Sequence, residues 1–180
     1  TVDSDAQITV LVPTGATTGP ISVTNGAGTT VSTTNFTVSL IKLSTFEGGS
    51  LTDPATGVSA TVGTVQLETG TPLKDGFSAH SSVGSSYLQS DFSATDDTYV
   101  SFYLRINAQP ASNGRLVVLF DGGTSVGNIY LLTNSSLSLR NGGASVGSGT
   151  SPLTPGQLYH VALHQKRGTG SNAVLEGYLA

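Results

Sequence analysis

Three glutamates are the first candidates for chemistry in this sequence, because two carboxylates about 5 to 10 Å apart can cleave a glycosidic bond. Glu47, Glu68 and Glu176 lie far apart in the sequence, and no Glu-x-Asp-x-Glu segment would place carboxylates on one face of a strand. No Gly-x-Ser-x-Gly segment lies between a strand and a helix, where it would present a nucleophilic serine. The sequence therefore favours a non-enzymatic protein. A glycan-cleaving site assembled from distant carboxylates stays open as an alternative.

Two histidines in YHVALHQ have the spacing of zinc ligands on a helix. The segment alternates apolar and polar residues, however, which predicts a strand. His160 and His164 would then lie roughly 13 Å apart, since each strand residue advances about 3.3 Å. That separation is too large for one ion, so we expect two polar side chains on the wetter face of a half-buried strand.

A third candidate is the polar side of the segment YVSFYLRI. Side chains alternate between the two faces of a strand. The apolar set, which is expected to face a core, comprises Val100, Phe102, Leu104 and Ile106. The opposite, wetter face would carry Tyr99, Tyr103 and Arg105, which form a candidate ligand-binding patch.

Strand patterns of this kind recur along the whole chain, and no segment has a convincing helical period. RLVVLF and NIYLL are continuously apolar, as expected of strands covered on both faces. The segments between strands are rich in glycine, and GTSVGN and GASVGS resemble two similar hairpin loops. The sequence therefore predicts an all-β fold with antiparallel strands in a β-sandwich.

Composition excludes several classes of partner and site. Charged residues make up only 10% of the 180 residues, the net charge is -4, and the basic residues form no cluster. Nucleic acid is therefore excluded, because it needs a basic surface. Cys, Met and Trp are absent, which rules out disulfides and thiolate metal sites. No apolar run reaches the roughly 20 residues that span a bilayer.

The Cys-free composition, rich in Ser and Thr, favours an extracellular or cell-surface location. No basic segment followed by an apolar one opens the chain, so we expect further polypeptide before Thr1. Asn35 and Asn134 fit the N-glycosylation motif, and the many hydroxyl side chains are further possible glycan acceptors.

The first forty residues carry a motif that extends from Val12-Pro13 through Gly15-Ala16 to Thr18-Gly19-Pro20. An ISV strand, a glycine-containing turn and a closing segment from Ser32 to Val38 follow it. This pattern resembles the C-terminal half of an IPT/TIG domain, an immunoglobulin-like module of surface proteins. The resemblance implies that residues 1–40 are part of an Ig-like β-sandwich whose first strands are missing.

The remainder of the chain contains TFEGGS, GSSYLQSDF, SFYLRI, GRLVVLFDGG and LTPGQLYHVALHQ. These segments resemble a laminin-G-like or concanavalin-A-like domain, which implies a jelly-roll β-sandwich over residues 41–180. Leu158 stands where the family usually has a Trp, which would reduce one core anchor. The chain stops inside the strand AVLEGYLA, so either more polypeptide follows or a neighbouring chain supplies the missing strand.

Domains of this family often hold calcium at the rim, where the ion takes about six to eight oxygen ligands. Glu47 in TFEGGS and Asp121 in LFDGG are the candidate ligands. The alternative, which carries more weight, is that each acid caps its own turn. Asp96 and Asp97 are interpreted as a turn for the same reason.

These observations together predict a segment of a multidomain extracellular protein that acts in adhesion, carbohydrate binding or structural spacing. Its partners would be glycans, other surface proteins or copies of itself. The first alternative is a subunit of an extracellular filament assembled by strand pairing between chains. The second, less favoured, is a glycan-cleaving enzyme of the concanavalin-A-like fold.

Overall fold

The computed structural model describes residues 2–4, 7–8, 18–54, 57–81 and 85–180. Over these ranges the regular structure consists of fifteen strands and one 3-10 turn at Gly170–Asn172. The predicted all-β class is confirmed. No helix in the described ranges is long and apolar enough to cross a membrane.

The chain divides into two compact units, Thr1–Leu43 and Ser44–Ala180. The sequence placed a domain boundary after residue 40. The assignment of the first unit to an IPT/TIG module and of the second to a laminin-G-like jelly roll stays a prediction.

The N-terminal unit contains two pairs of antiparallel strands, β1 (Val2–Ser4) with β2 (Gln7–Ile8) and β3 (Gly19–Asn25) with β4 (Gly28–Phe36). Val12-Pro13 and Gly15-Ala16, half of the motif behind the IPT/TIG resemblance, lie outside the described residues. Both strands of the β3–β4 hairpin are almost wholly exposed. A two-stranded hairpin of this kind is marginally stable by itself.

The C-terminal unit contains the other eleven strands of the described chain. Its first four are short and form two separate antiparallel pairs, β5 with β8 and β6 with β7. The later strands are longer and form the two main sheets. The bounds are β5 Ala60–Val62, β6 Val65–Glu68, β7 Ser78–Ser81, β8 Tyr87–Gln89, β9 Asp97–Arg105, β10 Gly114–Asp121, β11 Thr124–Leu131, β12 Leu137–Asn141, β13 Ala144–Ser145, β14 Leu158–Lys166 and β15 Val174–Leu179.

One main sheet has the strand order β10-β11-β12-β13 and the other has the order β15-β14-β9, and all neighbours are antiparallel. Glycine pairs close two of the hairpins, because Asp121 is paired with Thr124 and Asn141 with Ala144. Gly122, Gly123 and Gly142 have positive φ angles there, as tight hairpin turns require. The prediction of two similar hairpin loops is confirmed.

The core lies between the two main sheets, which gives a β-sandwich. The predicted inward residues of β9 pack into it, and β14 contributes Val161 and Leu163, both fully buried. Gly127 on β11 permits a close approach of the sheets, because a Cβ atom there would lie 2.7 Å from Leu175 Cδ1. The remaining buried members of the core are Ile106, Leu119, Ile129, Leu137 and Leu153.

Leu158 does not lie in the core, where its correspondence to the family's Trp predicts it. It begins β14 with 41% of its surface exposed, and its register partner is Arg105 on the polar side of β9. The core positions of this strand are the alternate residues Tyr159, Val161 and Leu163. Leu158 is therefore not a core anchor.

Leu163→Ala should lower the free energy of unfolding by about 2 to 5 kcal/mol, because it leaves a cavity in the core. Leu158→Ala on the same strand is the matched control, and its effect should be about 0.5 kcal/mol or less, since the side chain is half exposed. Urea unfolding followed by circular dichroism measures both values. Equal losses for the two variants would contradict the described orientation of β14.

Candidate functional site

The solvent-facing side of the β9–β14–β15 sheet, called the outer face below, gathers the aromatic and ionisable residues of three strands. The strand register arranges them in rows across the sheet. The first row is Tyr99, His164 and Glu176, the second is Ser101, Ala162 and Tyr178, the third is Tyr103 and His160, and the fourth is Arg105 and Leu158.

An acid–histidine cluster of Asp97, His164, Glu176 and Tyr178 is centred on the first row. His164 Nε2 lies 2.8 Å from Asp97 Oδ1, and its Nδ1 lies 3.2 Å from Glu176 Oε2. Each ring nitrogen of His164 therefore has a carboxylate oxygen within hydrogen-bonding distance. Tyr178 Oη donates to the same Glu176 oxygen at 2.6 Å.

Tyr99 covers this cluster. Its ring stacks on His164 with the centroids 3.9 Å apart and the planes 6° from parallel. His164 is therefore only 7% exposed, while Tyr99 is 67% exposed. His164 lies on the predicted polar face of β14, but the stacked Tyr99 ring buries its imidazole. A buried ionisable group needs partners, and the two carboxylates supply them.

The hydrogen bonds of the cluster shift the ionisation of its members. The Tyr178 hydroxyl, followed by His164, holds the pKa of Glu176 below its ordinary value of 4.5. The same bond raises the pKa of Tyr178 to about 12, so this hydroxyl stays protonated. Partial desolvation, with the nearby carboxylates of Asp97 and Glu176, raises the pKa of Tyr99.

The middle of the outer face is recessed relative to the flanking rows, because its second row carries two small side chains. Ser101 is exposed and Ala162 is half-buried, whereas the flanking rows carry tyrosine and histidine rings. Tyr178, 38% exposed, closes the β15 side. The result is a shallow floor bordered by Tyr99, Tyr103 and Tyr178.

The other end of the outer face is basic. Lys74 Nζ lies 4.4 Å from the centre of the Tyr103 ring and 3.3 Å from its hydroxyl. Arg105 donates to the backbone oxygen and the hydroxyl of Thr71. The His160 ring lies 5.0 Å from that of Tyr103. The predicted patch residues Tyr99, Tyr103 and Arg105 thus share one face, but Arg105 is held by a neighbouring loop.

The calcium candidates have protein partners instead of a shared site. Glu47 accepts hydrogen bonds from the amides of Gly76 and Phe77, one at each carboxylate oxygen and both at 3.0 Å. Asp121 accepts one from Arg167, which also faces Asp96. Among the described residues, no three His, Cys, Asp or Glu side chains form a group suited to a metal ion. Calcium binding stays a prediction.

Two of the three glutamates, Glu176 and Glu68, do not have the raised pKa that a general acid of a glycan-cleaving site needs. Glu176 and Asp97 approach the same histidine, but a general acid needs a raised pKa and that of Glu176 is lowered. Glu68 also has a lowered pKa, because the amides of Thr71 and Gly70 donate to it. Glu47 binds two backbone amides. Each glutamate has a structural contact of its own.

Sequence reasoning missed the acid–histidine cluster. Asp97 was interpreted as a turn residue, but it is the first residue of β9 and binds His164 across the sheet. Glu176 was considered only as a distant carboxylate. The alternation of apolar and polar residues indicates that His164 and Glu176 lie on the polar faces of their strands. It does not indicate which strands are neighbours, and the cluster cannot be predicted without that order.

Neither a protein-family model, nor a curated protein, nor a solved structure matches this chain. The two family resemblances therefore rest on the residues quoted above. The function of the outer face has to be argued from its own geometry.

Glu176→Gln should lower the stability of the fold at neutral pH. Because its pKa is lower in the folded chain, the Glu176 carboxylate stabilises the fold above the ordinary value, and this contribution is lost as the pH falls through the folded value. The side chain is half exposed, so the loss should be about 1 kcal/mol or less. Urea unfolding of both proteins between about pH 7 and pH 3 measures the difference.

The difference in the free energy of unfolding between wild type and Glu176→Gln should decrease as the pH is lowered towards about 3. Asp75→Asn, which changes an exposed carboxylate outside the cluster, is the control for general charge effects. A difference that stays constant or grows on acidification would contradict the stabilising role of the ionised Glu176.

Proposed function

We propose that this chain is a non-catalytic binding segment of an extracellular or cell-surface protein that acts in adhesion by binding carbohydrate on the outer face. The observation that carries the proposal is the low floor of Ser101 and Ala162 bordered by three tyrosines. Aromatic rings with a polar tip suit ligands that have both apolar and hydroxylated surfaces. Sugars have both, since their C–H faces are apolar and their edges carry hydroxyls.

The dimensions of the outer face favour a short oligosaccharide over a single sugar. Tyr99 and Tyr103 are four residues apart on one strand, which corresponds to roughly 13 Å. A ligand lying across Ser101 could therefore contact both rings at once. Such an open, shallow surface suits a chain that continues beyond the site at both ends.

Polar groups at the border of the floor can select among hydroxyl patterns. Tyr178 Oη and the Glu176 carboxylate lie on one side, and Lys74 and His160 lie near the opposite end. A few fixed polar groups in a mostly aromatic setting are typical of ligand specificity. Tyr178 is hydrogen-bonded to Glu176, and Lys74 and His160 both contact Tyr103, so a ligand would meet preformed partners.

Two other interpretations have less support from the geometry than glycan binding at the outer face. They are glycan cleavage and ligand binding in a second depression. The enzyme alternative needs a raised carboxylate pKa, and those of Glu176 and Glu68 are lowered. A second depression, lined by Gly49–Thr52, Thr61 and Val65–Leu67, has no charged or aromatic lining residue.

The extracellular location is supported by composition alone, through the absence of cysteine and the abundance of Ser and Thr.

Tyr99→Ala and Tyr103→Ala should each weaken glycan binding about tenfold, the effect of losing roughly 1.4 kcal/mol of aromatic contact. Tyr87→Ala is the matched control, because Tyr87 is an exposed tyrosine of the same unit on β8, outside this sheet. A glycan array with the wild type selects the ligand, and titration calorimetry with that glycan compares the variants.

Running the array with and without a chelator tests the predicted calcium dependence at the same time. Loss of binding on chelation would support a rim ion, and unchanged binding would make the outer face sufficient by itself. Absence of binding in both conditions, or equal weakening by Tyr87→Ala, would overturn carbohydrate binding at this face. Release of shorter glycan products would overturn the non-catalytic assignment.

A further inference from the structure

Strand β9 is an edge of its sheet. It pairs with β14 on one side, and among the described residues no other segment forms a backbone hydrogen bond with Asp97–Arg105. The Asp97 N–H and C=O groups at the start of the strand bond to the Thr95 hydroxyl. The other outward N–H and C=O groups of β9 form no backbone hydrogen bond among the described residues and are available for pairing. An exposed strand edge of this kind is a template for another strand.

The other edges of the two main sheets are less suited to pairing. β10 has two register shifts against β11, which twist a strand away from a flat edge. β13 has only two residues, and β15 has Gly177 in its interior. β9 has nine residues, no register shift against β14, and no charged residue between its two ends.

We infer that β9 pairs with β9 of a second copy of this chain, antiparallel and centred on Ser101. The ends of the strand are complementary in this register, because Asp97 of one copy faces Arg105 of the other. Tyr99 faces Tyr103 of the other copy, and Ser101 faces Ser101. Opposite charges and aromatic pairs directly across an antiparallel ladder are stabilising.

The inward side of β9 is complementary in the same register. Val100 of one copy faces Phe102 of the other, and both belong to the rim of the core. The two-fold symmetry gives a closed dimer with a continuous six-stranded sheet. Thr71 and Lys74 touch the Arg105 and Tyr103 side chains, and no backbone bond of that loop to β9 is present among the described residues.

The chain contains no cysteine, so single cysteines report the register directly. Ser101→Cys places two thiols opposite each other on the two-fold axis, within the reach of a disulfide. Ser145→Cys, an exposed serine on the edge strand β13, is the matched control. Under mild oxidation, Ser101→Cys should give about tenfold more covalent dimer than the control, as expected when pairing raises the local thiol concentration.

A mixture of two variants tests the register itself. Tyr99→Cys and Tyr103→Cys should form few homodimers, because identical positions lie roughly 13 Å apart about the axis. Mixed together, they should form the heterodimer in which residue 99 of one chain is linked to residue 103 of the other. Mass spectrometry identifies the linked peptides.

Equilibrium sedimentation of the whole chain tests the pairing without a covalent link. Ser101→Lys places like charges opposite each other and should weaken the dimer about fivefold or more, while Ser101→Thr should preserve it. A monomer at every concentration, with equal crosslinking of Ser101→Cys and Ser145→Cys, would overturn the inference. A dimer unaffected by Ser101→Lys would also overturn it. Glycan binding is not needed for either result.

Discussion

The pairing of β9 with β14 determines both the core and the candidate site of the C-terminal unit. The ladder extends over nine residue pairs without a register shift, and a slip by one residue would exchange the two faces of a strand. The chain has no cysteine, so no disulfide can fix this register. The burial of Val161 and Leu163 on one side is what holds it.

Much of this arrangement could be predicted from local patterns. Alternation in YVSFYLRI placed Phe102 in the core and Tyr99, Tyr103 and Arg105 on the other face, and the glycine pairs marked two hairpin turns. These features depend on neighbours in the sequence. Leu158 shows that local alternation can be more accurate than a family pattern. The family pattern predicts a core position for Leu158, whereas alternation with Tyr159 predicts the outer face, where it is found.

The acid–histidine cluster could not be predicted, because it depends on which strands are neighbours. Asp97, His164 and Glu176 come from three strands, and β14 lies between the other two. The same polar residues would have been solvated separately in a different strand order. His164 is the informative case. Its polar character predicted the wetter face, yet the Tyr99 ring buries it, and its two ring nitrogens have protein partners in Asp97 and Glu176.

Strand β9 has three surfaces, and the two proposals use different ones. Its inward side belongs to the core, its outward side borders the proposed glycan floor, and its edge would face a second copy in the proposed dimer. Pairing at the edge would place Tyr99 of one copy beside Tyr103 of the other, so two floors would lie side by side in one continuous sheet. A glycan chain that meets both floors binds the second in an intramolecular step. In the proposed dimer a shallow site with modest affinity would suffice for adhesion, because the same strand that borders the floor would also bring two floors together.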